Sequence, residues 1–415
     1  MAGPSDSDPD KPISLARALA VIADSYQPVA GIETVALTDA LGRVLAGDIT
    51  APIAVPAADN SAVDGYAFRH ADLASSHAAT LQVIGIAAAG HPYSGRVNTG
   101  EAARIFTGAV IPDGADTVVP QENVTACADA VTIPAGPRPG DNLRLAGEDI
   151  AWGSRIRSNG ERLGPAALGV LASVGIAEVA VRKPLRLAVF STGDELRDGG
   201  NPLAAGQIHD SNRPVLLAML KGLGIAATDL GILPDRQDVI ASRLAEAAQT
   251  HHAVVCSAGM SVGDEDHVKA AVRSLGALDF WSVAIKPGRP VAVGRIGATP
   301  FFGLPGNPVA MIVTFLTIVR PALLRLAGVS APSPRRFPVT ADFHLERKPG
   351  KREFLRCTLH DGGGHAVLAR RFARGGSGVL SSVADSEGLV EVAEDIAEIA
   401  PGMTLPFIPF SSLGL

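Results

Sequence analysis

The sequence predicts a multi-domain α/β protein: a central parallel-sheet α/β domain, an inserted mostly-β module before it and a small β domain after it. Three observations carry this. Between residues 184 and 330, short apolar runs alternate with amphipathic segments of helical period, the signature of a parallel sheet covered on both faces. Between residues 51 and 140, β-like runs alternate with Gly/Pro turns and no long helical pattern appears. Beyond the proline- and arginine-rich stretch APSPRRFP (331–338), short β-like runs return. With 415 residues the chain has room for roughly two to four domains of ordinary size.

Each element follows from its local pattern. Residues 1–10 are acidic and read as disordered, without the apolar segment of a secretory signal. From Ile13, ISLARALAVIADSY places apolar residues at helical spacing, with Ser14 as the cap. ETVALTDALGRVLAGDI (33–49) reads as a strand and a helical turn. LQVIGI, ARIFTG, DTVVPQENV and AVTIPAG are the strands of the inserted module, and GPRPGDNLR (136–144) is its exit. PAALGVLASVG (165–175) is a helix, with Pro165 in the first turn, where no N–H is needed, and Gly175 as the stop. Then come strand PLRLAVFST, helix NRPVLLAMLKGLG, strand IAATDLGIL, helix DVIASRLAEAAQT, strand HAVVCSAG and helix DHVKAAVRSLG. WSVAIKPGRPVAVGRI, strand PFFGLPG and helix NPVAMIVTFLTIVRPALLRLAG complete the domain. The expected domains are 1–50 with 141–180 as an extended N-terminal region, 51–140 as the inserted module, 181–330 as the α/β domain and 331–415 as the C-terminal β domain.

Composition excludes several function classes. A net charge of −6 argues against a general affinity for nucleic acid or anionic membrane. Aromatic residues make up 4%, too few for a base-stacking surface. The apolar run VAMIVTFLTIV (309–319) is about half the ~20 residues a membrane span needs, so it reads as a core helix. Cys127, Cys256 and Cys357 stand far apart without CxxC spacing, which fits a reducing compartment and buried thiols; the expected location is cytoplasmic. No HxH or HExxH spacing suggests zinc, and no GxSxG, GxGxxG or GxxxxGK[ST] motif occurs.

The chemistry gathers at strand ends, where an α/β sheet presents its ligands. TGDEL (192–196) follows LAVFS, MSVGDED (260–266) follows CSAG, and LPGNP (304–308) follows FFG. Each sets glycine beside small polar or acidic groups: Thr192, Gly193 and Asp194; Gly259 and Ser261; Pro305, Gly306, Asn307 and Pro308. Glycine lets a backbone approach a ligand, and neighbouring N–H groups bind phosphate oxygens. Asn307 or Pro308 opens the last helix, whose N-terminus favours an anion. Singly, each loop is also ordinary turn chemistry; three in one sheet point to a site. Glu195, Asp194, Asp235 and the acids 264–266, Asp266 among them, are candidate Mg²⁺ ligands, because Mg²⁺ takes hard oxygen donors together with phosphates and water. Lys286 and Arg289, spaced by Pro-Gly, are candidate anion ligands. Asp64 in NSAVDGYAFR and Asp149 in RLAGEDI stand outside this domain, and Asp64-Gly65 alone reads as a turn. The residues themselves therefore describe an acid-rich, Mg²⁺-dependent site for a phosphorylated ligand, without naming the reaction.

Taken in order, these stretches resemble the molybdopterin molybdenumtransferase (MoeA) family, to which the C-terminal domain of gephyrin is related. NSAVDGYAFR (60–69), RIFTGAVIPDGADTVVPQE (104–122), LRLAGEDI (143–150), STGDEL (191–196), SAGMSVGDED (257–266), KPGRP (286–290) and LPGNPVA (304–310) carry the resemblance over nearly the whole chain. The chain departs at Ala258, Arg289 and Ala310, where the family often has glycine, lysine and serine. The resemblance implies an α/β molybdopterin-binding domain and a C-terminal β barrel. It implies an elongated homodimer with its active site between subunits, and a reaction that inserts molybdate into adenylylated molybdopterin, uses Mg²⁺ and releases AMP. By position it makes Asp64, Thr107, Asp149, Glu195, Asp235 and Asp266 the polar site residues, with Glu195, Asp235 and Asp266 holding Mg²⁺. It gives Lys286 and Arg289 to molybdate or the pterin phosphate, and Ser377 in FARGGSG (372–378) to the mouth of the cleft. Expected partners are the molybdopterin adenylyltransferase that supplies the substrate and the apo-molybdoenzymes that receive the cofactor. The rival readings are a molybdopterin adenylyltransferase using MgATP, a non-catalytic scaffold of the same fold, and a member that inserts tungsten.

Overall fold

The computed structural model describes residues 12–73, 77–257, 267–330, 333–363 and 366–413. The chain divides into two compact units: one holds the residues up to Glu33, Gly42–Ala46 and everything from Val181 on, the other Thr34–Leu41 and Gly47–Ala180.

In the first unit, six strands form a sheet in the order Ala226–Leu233, Arg186–Thr192, Ala253–Ser257, Thr299–Leu304, Pro290–Ile296 and Gly276–Ser282. The first four run parallel; the last two are added antiparallel. The antiparallel part follows from WSVAIKPGRPVAVGRI, where a Pro-Gly turn folds the chain back and no crossover helix intervenes. Alternation along each strand sends neighbouring side chains to opposite faces. Leu187, Val189, Val255, Phe302 and Leu304 enter one core with the helices Leu15–Ser25, Asn212–Gly222 and Pro308–Leu326. Ala188, Phe190, Val254, Cys256 and Phe301 enter the other with Gln237–Thr250 and His267–Leu275. Ser14 caps its helix, its Oγ accepting from Arg17 N–H at 3.1 Å.

The last helix is longer than the apolar run 309–319. It covers 19 residues, Pro308–Leu326, and passes through Arg320–Pro321. A π-helical turn, Phe315–Val319, precedes the proline, and Arg320 N–H reaches back to Phe315 O. That shift accommodates the donor that Pro321 lacks. By length and composition the helix could cross a membrane, yet 83% of it is buried inside the protein, which is the position of a core helix.

The C-terminal segment is a closed barrel. Phe337–Ala341, Arg352–Asp361, Val367–Arg371, Gly388–Val392 and Thr404–Pro409 pair in a ring, with Arg352–Asp361 bonded to both Val367–Arg371 and Gly388–Val392. Val339, Leu355, Cys357, Ala369, Val390 and Phe407 fill it. The alternate residues Phe354, Leu389 and Ile408 face outward into the α/β core, so barrel and sheet share one hydrophobic body. The short strand Ile285–Lys286 adds to the barrel's rim beside Arg352–Glu353.

The second unit contains a six-stranded sheet ordered Thr117–Pro120, Gly65–Phe68, Glu101–Ile105, Ala79–Ala87, Ala130–Ile133 and Thr125–Cys127. Gly65 is obligatory in it, because a Cβ there would lie 1.9 Å from Val119 O. The helix Pro165–Ser173 begins on Pro165, and Gly175 beyond its end takes φ +80.

Candidate functional site

Register brings the strand ends level. Thr192 pairs with Leu233, Ser191 with Ser257, and Ser257 with Leu304, so the loops that follow these strands leave the same edge of the sheet. Glu195 stands three residues beyond the first strand and Asp235 two beyond its neighbour. Glu195 is exposed, and its carboxylate folds back over Gly193, where a Cβ would lie 2.5 Å from Oε2; Gly193 has φ +144. Asp194 is exposed and its carbonyl accepts from Arg197 Nη1 at 3.0 Å. Asp235 lines an open 460 Å³ hollow with Arg236, Asp238 and His267. Gly259, Ser261 and Asp266, with the rest of the acid loop, lie outside the described residues.

Asn212 ties this edge together. Its Nδ2 donates to Ser257 Oγ at 2.8 Å and to Gly306 O at 2.7 Å, joining the end of one strand to the LPGNP loop. Around it, Ser191 Oγ, Thr192 Oγ1 and Asn212 Oδ1 are buried without a hydrogen-bond partner among the described residues. Orphaned buried polar atoms at strand ends are what a polar ligand would satisfy.

The LPGNP loop opens the last helix as expected, with Asn307 at the cap position and Pro308 first in the helix. Its anion-binding capacity is smaller than the sequence suggested. Pro308 has no N–H, Asn307 makes no side-chain cap, and Val309 N–H donates to Ser377 O at 2.9 Å. That bond also fixes Ser377 beside the loop.

The larger cavity is an 870 Å³ cleft between the α/β sheet and the barrel. It gathers Lys286, Arg289, Pro305, Asn307 and Ser377, residues that lie far apart in the chain. The Lys286–Arg289 loop is seated on the last helix: a Cβ on Gly288, at φ +112, would meet Thr314 Oγ1 at 2.2 Å. Five cations here were missed in the sequence as site residues: Arg347, Lys348, Lys351, Arg356 and Arg371. The stretch RKPGKREFLR (347–356) carries five cations in ten residues, a signal masked by its reading as plain strand and turn. Lys286 Nζ pairs with Glu353 Oε1 at 2.9 Å, and Glu353 Oε2 also accepts from Arg347 Nε at 3.0 Å. Arg289, Lys348, Lys351 and Arg371 form no ion pair among the described residues. Arg356 is buried, donating to Ser382 Oγ at 3.0 Å and Gly376 O at 3.3 Å, and burial pulls its pKa below the ordinary arginine value. The cleft is a cationic island on an acidic protein and suits an oxyanion.

Asp64, Thr107 and Asp149 belong to the second unit. Asp64 Oδ1 accepts both the N–H and the hydroxyl of Thr107, each at 2.7 Å, although 43 residues separate them. Those two bonds, the backbone one first, hold the Asp64 carboxyl below the usual range. Arg104 lies 5.0 Å over the Tyr66 ring and 5.1 Å over Phe106, beside this pair. Asp149 is exposed on a loop pinned by Ala146 N–H to Asp59 Oδ1 at 2.7 Å and by Gly147 N–H to Pro56 O at 2.9 Å. The Asp64 segment is laced to the Thr107 segment in turn, through Ser61 N–H to Ala109 O and Gly108 N–H to Ser61 O.

No group of three or more metal-ligating side chains occurs among the described residues. Glu195 and Asp235 nevertheless fit a hard cation: they leave paired strand ends and their carboxylates form no ion pair among the described residues.

Most of the chain matches known regions, in order. The MoeA N-terminal region (domain I and II) matches residues 13–175, a probable molybdopterin binding domain residues 188–325, and the MoeA C-terminal region (domain IV) residues 338–410. A protein of Haemophilus influenzae named molybdopterin molybdenumtransferase is 38% identical over 379 residues, 91% of this chain and 93% of that one. The chain belongs to the MoeA family. A Mycobacterium tuberculosis relative named molybdopterin molybdenumtransferase 2 is 36% identical over 383 residues, 90% of this chain and 93% of its own. Among solved structures, a MoeA protein from Pyrococcus horikoshii OT3 superposes with a TM-score of 0.84 at 28% identity, over 96% of this chain and 100% of that one. A second MoeA structure from that genus gives 0.77 at 32%, over 96% and 99%. The chain is thus an enzyme of the MoeA transferase type, and the resemblance seen in its motifs extends to its fold.

Proposed function

We propose that this MoeA protein is a molybdopterin molybdenumtransferase in molybdenum cofactor biosynthesis, which takes molybdate and adenylylated molybdopterin, inserts the metal and releases AMP. The observation that carries the reading is the meeting of Lys286, Arg289, Pro305, Asn307 and Ser377 in one cationic cleft. Both substrates are anions, and a protein of net charge −6 needs such an island to hold them.

The proposal gives each residue a role. Arg289, Lys286 and the buried Arg356 bind the oxyanion; Arg356 arrives oriented by Ser382 and Gly376 and loses little freedom on binding. The backbone at Gly193 and Gly306 admits the nucleotide portion closely, and the family resemblance implies the same role for Gly259. Thr192 and Asn212 offer their unpartnered buried atoms to its polar groups. Glu195 and Asp235, joined by Asp266 as the family resemblance implies, would hold Mg²⁺, whose role when bound would be to polarise the phosphoanhydride and stabilise the departing AMP. Asp64 stays ionised through Thr107, so it accepts and orients a donor. In the proposed homodimer, Asp64, Thr107 and Asp149 complete the partner's site, and the enzyme works in the cytoplasm between an adenylyltransferase and apo-molybdoenzymes.

Single-turnover AMP release tests this. Purified protein receives adenylylated molybdopterin, with molybdate and Mg²⁺ each present or omitted, and an apo-molybdoenzyme reports cofactor. Release that requires both and reactivates the reporter supports the proposal. ATP-dependent adenylylation of free molybdopterin, or binding without release, would sink it in favour of the neighbouring enzyme or a scaffold.

A further inference from the structure

The helix Asn212–Gly222 begins with a buried cation that the proposed chemistry does not use. Arg213 gives Nε to Asp210 Oδ2 at 3.1 Å, Nη1 to Asp229 Oδ2 at 2.6 Å, and Nη2 to Asp198 Oδ1. The Arg213 side chain is 10% exposed and that of Asp210 2%. Asp210 also accepts the N–H groups of Asn212 and Arg213, each at 3.1 Å, so the acid is fixed from two sides.

These three acids come from three places that matter to the site. Asp198 lies in the loop that leaves Thr192 and carries Glu195. Asp229 lies in the strand whose end leads to Asp235. Asp210 closes the return of the Glu195 loop, which is zipped shut by Ile208 N–H to Glu195 O and Asp210 N–H to Arg197 O, both 2.8 Å. The short parallel pairing of Leu196–Arg197 with Ile208–His209 is the same zip. One planar fork therefore anchors both ends of the loop to the neighbouring strand. Lysine also has three N–H donors, but all sit on one nitrogen and cannot span acceptors that Arg213 reaches from three. Arg213 and Asp210 are buried whereas Asp198 and Asp229 are 56% and 40% exposed, so the cluster is a weak source of stability, and the best-attested use of such buried polar groups is to impose one arrangement.

We infer that Arg213 is a positioning residue: through Asp198 it sets where the Glu195-bearing loop stands against the strand ends at Thr192 and Leu233. The inference rests on the reading of Glu195 as a metal-holding residue, and its test separates the two.

Arg213→Met, Arg213→Lys and the milder Asp198→Asn are compared with the unaltered protein. Asp198→Asn removes only the charge of the loop's ion pair, leaving a neutral amide oxygen as a weaker acceptor, and keeps Arg213 with Asp210 and Asp229. Amide exchange is followed at Leu196, Ile208 and Asp210, whose N–H groups close the loop, with the amides of Ala253–Ser257 as the reference for the fold. Single-turnover AMP release and the dissociation constant of adenylylated molybdopterin are measured on the same samples. For Asp198→Asn, loop amides exchanging about tenfold faster with unchanged reference amides are expected, with release slowed about tenfold and affinity changed less than about threefold. Arg213→Met should do more, and Arg213→Lys should recover part of it. Loop exchange in Asp198→Asn equal to that of the unaltered protein would overturn the inference, as would a loosened loop with full release. If the unaltered protein itself releases no AMP, the functional proposal fails, while the exchange result still decides the anchoring.

Discussion

Glu353→Ala should damage the barrel and strengthen the cleft at once. The carboxylate makes two ion pairs of unequal worth. Lys286 is 62% exposed, so that pair contributes about 0–1 kcal/mol. Arg347 and Glu353 have side-chain exposures of 3% and 9%, and removing one partner of such a buried pair costs about 3–5 kcal/mol. Arg347 keeps backbone acceptors at Ala393, Ile396 and Lys351, which places the cost near the lower end, about 3 kcal/mol. A chain of several units need not unfold in one step, so the readout is amide exchange in the strand Arg352–Asp361, whose first N–H donates to Ala284 O. There, about 3 kcal/mol corresponds to roughly 100-fold faster exchange. Losing one negative charge beside Lys286 should tighten molybdate binding by about fivefold, roughly 1 kcal/mol, measured by calorimetry. Lys286→Met is the counterpart: it should leave exchange within about 1 kcal/mol of the original and weaken molybdate binding. Exchange in Glu353→Ala within about threefold of the original would refute the assignment of the cost to Arg347. So would a Lys286→Met variant as unstable as Glu353→Ala.

Three further outcomes follow from single contacts. Thr107→Val removes the hydroxyl bond to Asp64 and keeps the N–H bond, so the depressed Asp64 pKa should rise part of the way toward the ordinary carboxylate value. Because the folded value is lowered, the stabilisation from this contact is present above the ordinary carboxylate pKa and is lost as pH falls through the folded one; a carboxyl NMR titration unchanged by the substitution would contradict this. Burial pushes the Cys357 thiol up to about 12, whereas Cys127 is exposed, so a thiol reagent at mildly alkaline pH should label Cys127 promptly and Cys357 only on unfolding. Gly288→Ala should cost about 1–3 kcal/mol in the KPGRP loop and weaken molybdate binding measurably, and the double variant with Thr314→Ala should recover only the part due to the 2.2 Å clash; full recovery would show that the φ +112 backbone is unstrained.

The fold was legible where local pattern and burial agree. Period-2 runs such as RLAVFST and period-3.6 runs such as VIASRLAEAAQT dictate strand and helix because each must bury one face or stripe. Ser14, Pro165 and Gly175 mark element ends through backbone chemistry that needs no distant partner. The strand-end loops with Glu195, Asp235 and Asn307 were legible for the same reason, since a parallel sheet presents one edge. The motif stretches, DGYA and GEDI among them, carried the family because each is contiguous in sequence. Tertiary structure decided the rest. That the strands Pro290–Ile296 and Gly276–Ser282 run antiparallel depends on which edge remains open to them. That Arg356 and Lys351 join Lys286 depends on the barrel docking Phe354 and Leu389 into the α/β core. Whether a cation faces a ligand or a carboxylate is likewise set by neighbours remote in sequence: Lys286 meets Glu353, and Arg213 meets Asp198, Asp210 and Asp229. Periodicity is a property of neighbouring residues and can be read along the chain, whereas electrostatic pairing is a property of positions in space and exists only once the chain has folded.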